Sequence, residues 1–265
     1  MTFPPALTIA GSDSSAGAGM QADLKTFSAL GVHGLTAVTC VVAETPQVVT
    51  DIYPIPPLIL QKQVSLMLAS YPIGAIKTGM LYSKKHIVAL EELLLESKIP
   101  LVIDPVMVAS SGDPLLEESA LDAISERLLP LANIITPNLP EAGVILGRPI
   151  LTLEDQDEAA LEIAEKFDCS CYLKGGHFED APEHRDIFIH EGKAHAFSAS
   201  HLDLPYTHGT GCTLAAALTA GICQGLAFPD AAEQAHQFTH NALKNSLKWI
   251  NASGEETWHL NQLPR

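Results

Sequence analysis

Two glycines and a cysteine stand where a late helix is expected to begin, in the segment His208-Gly209-Thr210-Gly211-Cys212. Backbone amides at a helix N-terminus bind anions, and glycine lets a phosphate approach without meeting a Cβ atom. The thiol of Cys212 falls in the first turn, where the helix dipole favours a thiolate that can accept a proton from an attacking hydroxyl. A glycine-containing turn followed by a buried cysteine explains the same residues. The segment alone leaves both interpretations open.

Carboxylate side chains follow two further apolar runs. Asp104 ends the run Leu101-Val102-Ile103, and Glu141 belongs to the segment Asn138-Leu139-Pro140-Glu141 after another strand candidate. Carboxyl ends of parallel strands meet at one edge of a sheet, so the two acids would form a paired-carboxylate site for Mg²⁺. A local explanation competes, because Asn138 and Glu141 also fit a helix N-cap with a capping box, and an Asp after a strand is often a turn signal.

A cation ends another apolar run, in the segment Lys174-Gly175-Gly176. The ammonium group and the flexible backbone suit a nucleotide phosphate. A hairpin turn with an exposed lysine accounts for the segment equally well.

A glycine-rich stretch follows the first predicted strand. Gly17 to Ala22 matches G-x-G-x-x-A, and Glu44 closes the second predicted strand, as in dinucleotide-binding proteins. The spacing argues against that interpretation, because the loop from Gly11 to Ala16 separates the strand from these glycines. We expect the longer loop to wrap a small substrate, with Asp23 facing the pocket from the first turns of the following helix.

Short apolar runs alternate with stretches of helical periodicity along the chain, which is typical of a parallel sheet covered by helices. No linker or repeat interrupts the pattern, so we predict one domain over residues 1–265. An antiparallel hairpin around Glu191-Gly192 is expected at one edge of the sheet. The predicted strands are Ala6 to Ala10, Leu35 to Val42, Gly74 to Lys77, Leu101 to Asp104, Asn133 to Thr136, Cys171 to Lys174, Asp186 to His190 and Lys193 to Phe197. The predicted helices are Met20 to Leu30, Pro57 to Ala69, Lys84 to Ser97, Glu117 to Leu129, Leu153 to Phe167, Cys212 to Gln224 and Asp230 to Lys248.

The formal charge of −16 would repel nucleic acid and anionic membranes, so neither is an expected partner. The same charge opposes a nucleotide, which predicts a metal cation at any nucleotide site. Five cysteines without paired spacing are expected to be reduced thiols. The first residues lack a basic segment before an apolar one, and no apolar window is long enough for a membrane span, which favours a cytoplasmic location.

In their order and spacing, seven motifs resemble the hydroxymethylpyrimidine/phosphomethylpyrimidine kinases of thiamine biosynthesis, within the ribokinase-like superfamily. The resemblance extends from about Leu7 to Leu247. The motifs are Ala10-Gly11-Ser12-Asp13, Gln21-Ala22-Asp23-Leu24-Lys25-Thr26-Phe27, Asp104-Pro105-Val106-Met107-Val108, Ser111-Gly112-Asp113-Pro114-Leu115, Thr136-Pro137-Asn138-Leu139-Pro140-Glu141-Ala142, Lys174-Gly175-Gly176-His177 and His208-Gly209-Thr210-Gly211-Cys212-Thr213.

This resemblance implies a three-layer α/β/α sandwich, usually a homodimer, that uses Mg-ATP to phosphorylate 4-amino-5-hydroxymethyl-2-methylpyrimidine and then its monophosphate. It makes Cys212 the catalytic base, with an anion hole formed by Gly209, Thr210 and Gly211. Asp104 and Glu141 match the metal positions. The ATP-binding positions match Asn138, Lys174, Gly175 and Gly176, and the positions that bind the pyrimidine substrate match Gly11, Asp23, Glu44, Met80 and Val106.

Two positions depart from the family pattern. The family usually has Gln where this chain has Glu44, and Lys where it has Ser110. A Gln side chain both donates and accepts hydrogen bonds, whereas an ionised Glu only accepts, so Glu44 would pair best with a ring-protonated aminopyrimidine or would signal a different ring. The alternatives are therefore a pyridoxal-type kinase of the same superfamily, a dinucleotide-dependent reductase and a nucleotide-binding regulator without turnover.

Overall fold

A computed structural model describes residues 2–107, 116–175, 183–200, 202, 204, 208–252 and 254–263. Among these residues, one nine-stranded sheet has the order β3-β2-β1-β4-β5-β6-β7-β8-β9. The strands are β1 (Ala6–Asp13), β2 (Gly34–Thr45), β3 (Val48–Pro54), β4 (Ala75–Thr78), β5 (Leu101–Ile103), β6 (Ile134–Ile135), β7 (Ser170–Leu173), β8 (Glu183–His190) and β9 (Lys193–Ser200).

The six central strands are parallel, in the sheet order β2-β1-β4-β5-β6-β7, and antiparallel strands lie at both edges of the sheet. At one edge β3 pairs with β2, and at the other β8 and β9 continue from β7. The predicted hairpin is confirmed, with a two-residue turn at Glu191 and Gly192, both at positive φ. The edge strand β3 was not predicted, because its side chains are mostly exposed and give no apolar run.

Helices cover both faces of the sheet. One face packs α2 (Pro57–Ser70), α3 (Lys84–Ser97), α4 (Glu118–Ala123), α5 (Leu139–Leu146) and α6 (Leu153–Phe167). The other face packs α1 (Gly19–Ala29), α7 (Thr210–Cys223) and α8 (Phe228–Lys244). The structure therefore confirms the predicted three-layer α/β/α sandwich, with apolar cores between the sheet and each helical layer.

Several predicted boundaries are wrong, and three of them bear on the site or the helical layers. β1 continues beyond Ala10 to Asp13 through a register shift against β2, so the glycine-rich loop starts later than expected. The helix predicted over Glu117 to Leu129 is α4 followed by a π-helical turn and a 3₁₀ turn. The last predicted helix ends at Lys244 rather than Lys248, because a hairpin of β10 (Leu247–Ile250) and β11 (Glu256–His259) follows it.

None of the helices in the described part of the chain combines the length and the apolar character that crossing a bilayer requires.

Candidate active site

The carboxyl ends of the parallel strands border a cavity of about 140 Å³. A second cavity of about 390 Å³ adjoins it, and the two share Asn138, Lys174 and Gly211 as lining residues. Most of the predicted site residues, although they come from distant parts of the sequence, line one of these two cavities. The strands bring them together because parallel strands all end at the same edge of the sheet.

The N-terminus of α7 forms the floor of the first cavity. Its N-cap, Gly209, has φ of 86°, and a Cβ atom there would collide with the carbonyl oxygen of Gly17 in the loop after β1. At Gly211 a Cβ atom would lie 3.0 Å from Lys174 Nζ. Glycine is therefore required at position 209 by the backbone, and at position 211 it leaves room for the close approach of the Lys174 ammonium. The predicted anion hole lies at the junction of the two cavities.

Cys212 lines the first cavity, but its thiol is not the thiolate that the helix position predicted. Burial raises the pKa of the Cys212 thiol to about 12, although the Lys77 ammonium and a hydrogen bond from the Gly19 amide act in the opposite direction. The carboxylates of Asp23 and Asp104 raise it further. The substrate-free site therefore holds a protonated thiol, because desolvation outweighs the helix dipole.

Asp23 does not face the pocket as predicted. Its side chain is fully buried behind the cavity wall, where Lys77 Nζ lies 2.8 Å from Oδ2 and Thr8 Oγ1 donates to the same oxygen at 2.6 Å. Lys77, on β4, is the member of this pair that lines the cavity. Burial acts against its ammonium group, but Asp23 outweighs burial and raises the pKa of Lys77 above its usual range. The pair places a permanent positive charge in the wall beside Cys212.

Asp13 and His208 join the two loops that flank the first cavity. His208 Nε2 lies 3.0 Å from Asp13 Oδ2, which also accepts a hydrogen bond from the Ala18 amide at 2.7 Å. Burial would raise the pKa of Asp13, but the hydrogen bonds from His208, Ala18 and Ser15 outweigh it and lower the pKa to about 2. This network holds the loop after β1 against the start of α7.

Glu44 lies at the end of β2 and lines the same cavity. Its carboxyl, the Asp13 carboxyl and the His208 ring each offer an atom within 4.8 Å of one another. Burial and the negative charge of Asp13 raise the pKa of Glu44 to about 7, and His208 only partly offsets them. The Glu44 carboxyl can therefore exist in its neutral form near neutral pH, which the sequence did not indicate.

The three charged residues of the metal and nucleotide predictions form one cluster. Lys174 Nζ lies 2.9 Å from Asp104 Oδ1 and 3.8 Å from Glu141 Oε2. Burial acts against the ammonium, but the two carboxylates raise the pKa of Lys174. Burial and the charge of Asp104 raise the pKa of Glu141 above its usual range, although Lys174 acts in the opposite direction. A single cation thus lies between two carboxylates in a largely buried setting.

Glu141 forms the helix cap that the sequence predicted and also lies at the first cavity. Its Oε2 accepts from the Asn138 amide at 2.8 Å, and Asn138 Oδ1 accepts from the Glu141 amide at 2.8 Å, which makes a complete capping box for α5. The same side chain lines the first cavity. The Glu141 carboxylate therefore serves the helix cap, through the Asn138 amide, and borders the cavity with the same group.

The remaining substrate-binding predictions form one apolar wall of the first cavity. Gly11, Met80 and Val106 all line it, and Met80 packs with Val42 and the buried Cys40. Thr39 Oγ1 donates to the Met80 carbonyl at 2.7 Å and fixes that segment. This wall matches the flat face of a small heterocycle.

The second cavity combines apolar side chains with a buried histidine–aspartate network. Asp186 accepts from the Gly175 amide at 2.9 Å and lies within 3.2 Å of His236 Nδ1 and 3.0 Å of His184 Nε2. Burial would raise the pKa of Asp186, but the hydrogen bonds from His184 and His236 outweigh it and hold the pKa below its usual range. Gly175 is thereby fixed beside the cavity. The other lining residues include Leu202, Leu204, Leu214, Thr210 and Leu243.

Three residues that line or support the first cavity were not predicted as site residues: Lys77, Asp13 and His208. A lysine at the end of the apolar run Gly74 to Lys77 was a usable signal, because a charge in a buried strand needs a partner. Asp13 and His208 belong to motifs of the family resemblance, but their contact joins residues 195 positions apart, so sequence reasoning assigned neither a defined role. Gly176, His177 and the positions from Ser110 to Leu115 lie outside the described residues.

Comparisons with known proteins agree with this geometry. A family model described as phosphomethylpyrimidine kinase matches residues 13–256. A hydroxymethylpyrimidine/phosphomethylpyrimidine kinase from Salmonella typhimurium is 44% identical over 217 residues, which is 81% of either chain.

Two solved structures show the same fold. The phosphomethylpyrimidine kinase from Clostridium difficile has a TM-score of 0.81 at 34% identity and covers 91% of this chain and 99% of its own. The pyridoxal kinase from Staphylococcus aureus in complex with AMP-PCP and pyridoxal has a TM-score of 0.87 at 34% identity and covers 99% of this chain and 94% of its own.

Proposed function

The chain belongs to the phosphomethylpyrimidine kinase family, and from this premise we propose that it uses ATP to phosphorylate 4-amino-5-hydroxymethyl-2-methylpyrimidine and then its monophosphate. It is a phosphotransferase. The observation that carries the proposal is the meeting of two cavities at one helix N-terminus, beside two carboxylates and two lysines. An acceptor in one cavity and a phosphate donor in the other would meet at the start of α7.

The second cavity suits ATP, because it is large, partly apolar and open to the cation of Lys174. Base and ribose would occupy the space beside Leu214 and Leu243, and the phosphates would extend toward Lys174 and the amides of Gly209 to Cys212. The ATP analogue in the Staphylococcus aureus pyridoxal kinase supports a nucleotide triphosphate as the donor for this fold.

The residues around Lys174 fit Mg²⁺. Asp104, Glu141 and the Thr136 hydroxyl, which donates to Asp104 Oδ1 at 3.1 Å, form an oxygen-only set of the kind Mg²⁺ prefers. A bound Mg²⁺ would neutralise phosphate charge. We propose Asp104 and Glu141 as its protein ligands. A cation beside Asp104 would also offset one of the carboxylate charges that keep the Cys212 thiol protonated.

The first cavity suits the pyrimidine. Met80 and Val106 would pack against the ring, while Glu44 would bind its polar edge. A neutral Glu44 donates to a ring nitrogen and accepts from the amino group, as Gln does, and an ionised Glu44 needs a protonated ring instead. Either arrangement contains one proton between carboxyl and ring. Recognition of the aminopyrimidine therefore depends on one proton that is present either on the Glu44 carboxyl or on the ring.

Transfer is in-line and direct, without a phospho-enzyme. The amides at the start of α7 stabilise the charge that develops on the transferred phosphoryl group, and Lys77 and Lys174 add positive charge from either side. As a thiolate, Cys212 would accept the proton of the hydroxymethyl group, and a cation held by Asp104 and Glu141 would favour that form by offsetting nearby negative charge. The monophosphate presents an ionised acceptor, so the second transfer requires no base.

A pyridoxal kinase is the alternative function, and Glu44 is the observation that favours it. All phosphate-handling residues would be shared, and the two functions would differ only at the polar edge of the ring. The dinucleotide-dependent reductase gains no support, because Gly17 lies against His208 and Gly19 begins α1.

We also propose a cytoplasmic homodimer built from one kinase domain over residues 1–265. The edge strand β3 exposes Val48 and Tyr53, and the following helix α2 exposes Leu58, Ile59 and Leu66. An exposed apolar edge of this kind supports pairing with a second copy. Sedimentation of the full chain would test the dimer.

An ADP-release assay with Mg-ATP and three acceptors tests the proposed function. The acceptors are the hydroxymethylpyrimidine, its monophosphate and pyridoxal. Turnover of both pyrimidines supports the proposal, and turnover of pyridoxal alone would replace it with the alternative. ATP binding without ADP release in the presence of any of the three acceptors would indicate a nucleotide-binding regulator.

A further inference from the structure

The C-terminal segment returns from the β10–β11 hairpin to the start of α7. Leu260 is buried, the Asn261 amide donates to the Ala242 carbonyl of α8 at 3.1 Å, and Gln262 is only 2% exposed. The segment is thus anchored on α8 before Gln262 reaches the active-site helix. No part of the proposed function uses it.

Gln262 begins a chain of buried hydrogen bonds that ends at the N-cap of α7. Its Nε2 donates to Thr213 Oγ1 at 2.9 Å, and Thr213 Oγ1 donates to the Gly209 carbonyl at 2.8 Å. The Thr213 amide donates to the same carbonyl at 2.9 Å. Because Gln262 occupies an acceptor site of the hydroxyl, the hydroxyl proton is directed to Gly209.

The Gly209 carbonyl controls the direction of an anion-hole amide. In a planar trans peptide the C=O of one residue and the N–H of the next point in opposite directions. A fixed Gly209 carbonyl therefore also fixes the orientation of the Thr210 N–H at the start of α7. Gly209 has φ of 86° and lacks a side chain that would restrain it, so external hydrogen bonds matter here.

We propose that Gln262 is a positioning residue for phosphoryl transfer: through Thr213 it fixes the Gly209–Thr210 peptide and so the backbone geometry of the proposed anion hole at the start of α7. The inference rests on the proposed use of the α7 N-terminus as an anion hole. It assigns a kinetic function to the C-terminal segment, which contributes no side chain to either cavity.

The test compares Gln262→Met and Thr213→Val, which remove the relay at nearly constant volume, with Thr213→Ser, which keeps the hydroxyl. Gln224→Met is the matched control, because Gln224 is the C-cap of α7 and its side chain donates at 2.7 Å to the Leu30 carbonyl, at the opposite end of the helix from Thr213. For each full-length variant, kcat and KM would be measured below its unfolding midpoint, and stability by urea unfolding.

We expect kcat to fall about 10-fold in Gln262→Met and in Thr213→Val, with KM for the acceptor changed less than twofold, since a misaligned donor weakens transition-state binding. The double variant should be no slower than Thr213→Val alone, because both substitutions interrupt one relay. Thr213→Ser should stay within about twofold of wild type. Gln224→Met should lose stability and keep its kcat.

An unchanged kcat in Gln262→Met, or an equal loss in Gln224→Met, would overturn the proposal. If Gln262→Met does not fold, kcat of Thr213→Val is compared with kcat of Thr213→Ser. A lower kcat in Thr213→Val supports the proposal, and equal values overturn it. If wild type turns over no acceptor, the proposed function fails, and the relay is judged by the ¹⁵N shift of the Thr210 amide on adding Mg-ADP. A shift that Gln262→Met abolishes supports the relay, and one that it leaves intact overturns it.

Discussion

Lys77 Nζ lies 2.8 Å from each carboxylate oxygen of Asp23, and both side chains are fully buried. The pair joins β4 to α1 and keeps one face of the ammonium toward the first cavity. This arrangement shows why Asp23, which was predicted to face the substrate, instead holds the Lys77 ammonium in place. A buried ammonium needs a fixed counter-charge, and the counter-charge occupies the position behind it.

The substitution Asp23→Asn should destabilise the protein by about 3–5 kcal/mol, because it leaves the Lys77 charge buried and unpaired. Urea unfolding at pH 7 measures the loss. The double variant Asp23→Asn/Lys77→Met should recover part of that stability while remaining inactive, since Lys77 lines the cavity. A double variant less stable than the single one would contradict this account of the pair.

The substitution Cys212→Ala should reduce the first phosphorylation by about 10²-fold or more and the second much less, because only the alcohol has a proton to lose. The two steps are measured separately, with hydroxymethylpyrimidine and with its monophosphate as acceptors. Cys223→Ala is the matched control, since Cys223 is a buried cysteine at the other end of α7. Equal losses in both steps would argue against Cys212 as the base.

The substitution Glu44→Gln should remove a pH dependence of pyrimidine binding. Wild-type kcat/KM for hydroxymethylpyrimidine should fall relative to the variant by about 10-fold between pH 6 and pH 8, as a carboxyl with a pKa of about 7 ionises. Asp51→Asn, at an exposed position of β3, should follow the wild-type profile. A constant ratio of wild type to Glu44→Gln across this range would contradict the shared proton.

Glu44→Gln should also change stability with a defined sign. The folded-state pKa of Glu44 is raised above its ordinary value of 4.5, so its contribution to stability is fully present below pH 4.5 and is lost as pH rises through 7. The variant should therefore equal wild type near pH 4.5 and exceed it at pH 8. Urea unfolding at the two pH values checks this, and greater wild-type stability at pH 8 would refute it.

The substitution Glu141→Gln separates the capping function of this side chain from its proposed binding of Mg²⁺. Glutamine can complete a capping box, so stability should change by less than about 1 kcal/mol, whereas the Mg²⁺ concentration for half-maximal rate should rise at least about 10-fold. Asp155→Asn, at the matching position of the α6 capping box, should leave that concentration unchanged. An unaltered Mg²⁺ requirement in Glu141→Gln would remove Glu141 from the metal site.

Local patterns predicted the parts of this protein that local physics decides. Apolar runs such as Leu101 to Ile103 predicted buried parallel strands, and their carboxyl ends indicated that Asp104 and Glu141 would lie near each other. Asn138 and Glu141 predicted a helix start that the structure confirms as a capping box. Exposed strands such as β3 and the C-terminal hairpin were missed, because no apolar periodicity marks a strand whose side chains face solvent.

Properties that arise from charge and solvent exclusion could not be predicted from sequence. The position of Cys212 in a first helical turn predicted a thiolate, yet burial raises its pKa to about 12. The acidic Glu44 suggested an ionised side chain, yet burial and the neighbouring Asp13 raise its pKa to about 7. Desolvation depends on all the chain segments that surround a group, and sequence position does not give them.

The sequence by itself determined the three-layer fold, the edge of the sheet where the candidate site residues meet and the glycine-containing start of α7, because apolar runs, helix caps and glycines act within a few residues. Only the tertiary structure decided that Lys77 rather than Asp23 lines the cavity, that His208 pairs with Asp13, and that Gln262 reaches Thr213. These contacts join residues far apart in the chain, and their geometry exists only once the packed layers bring the segments together.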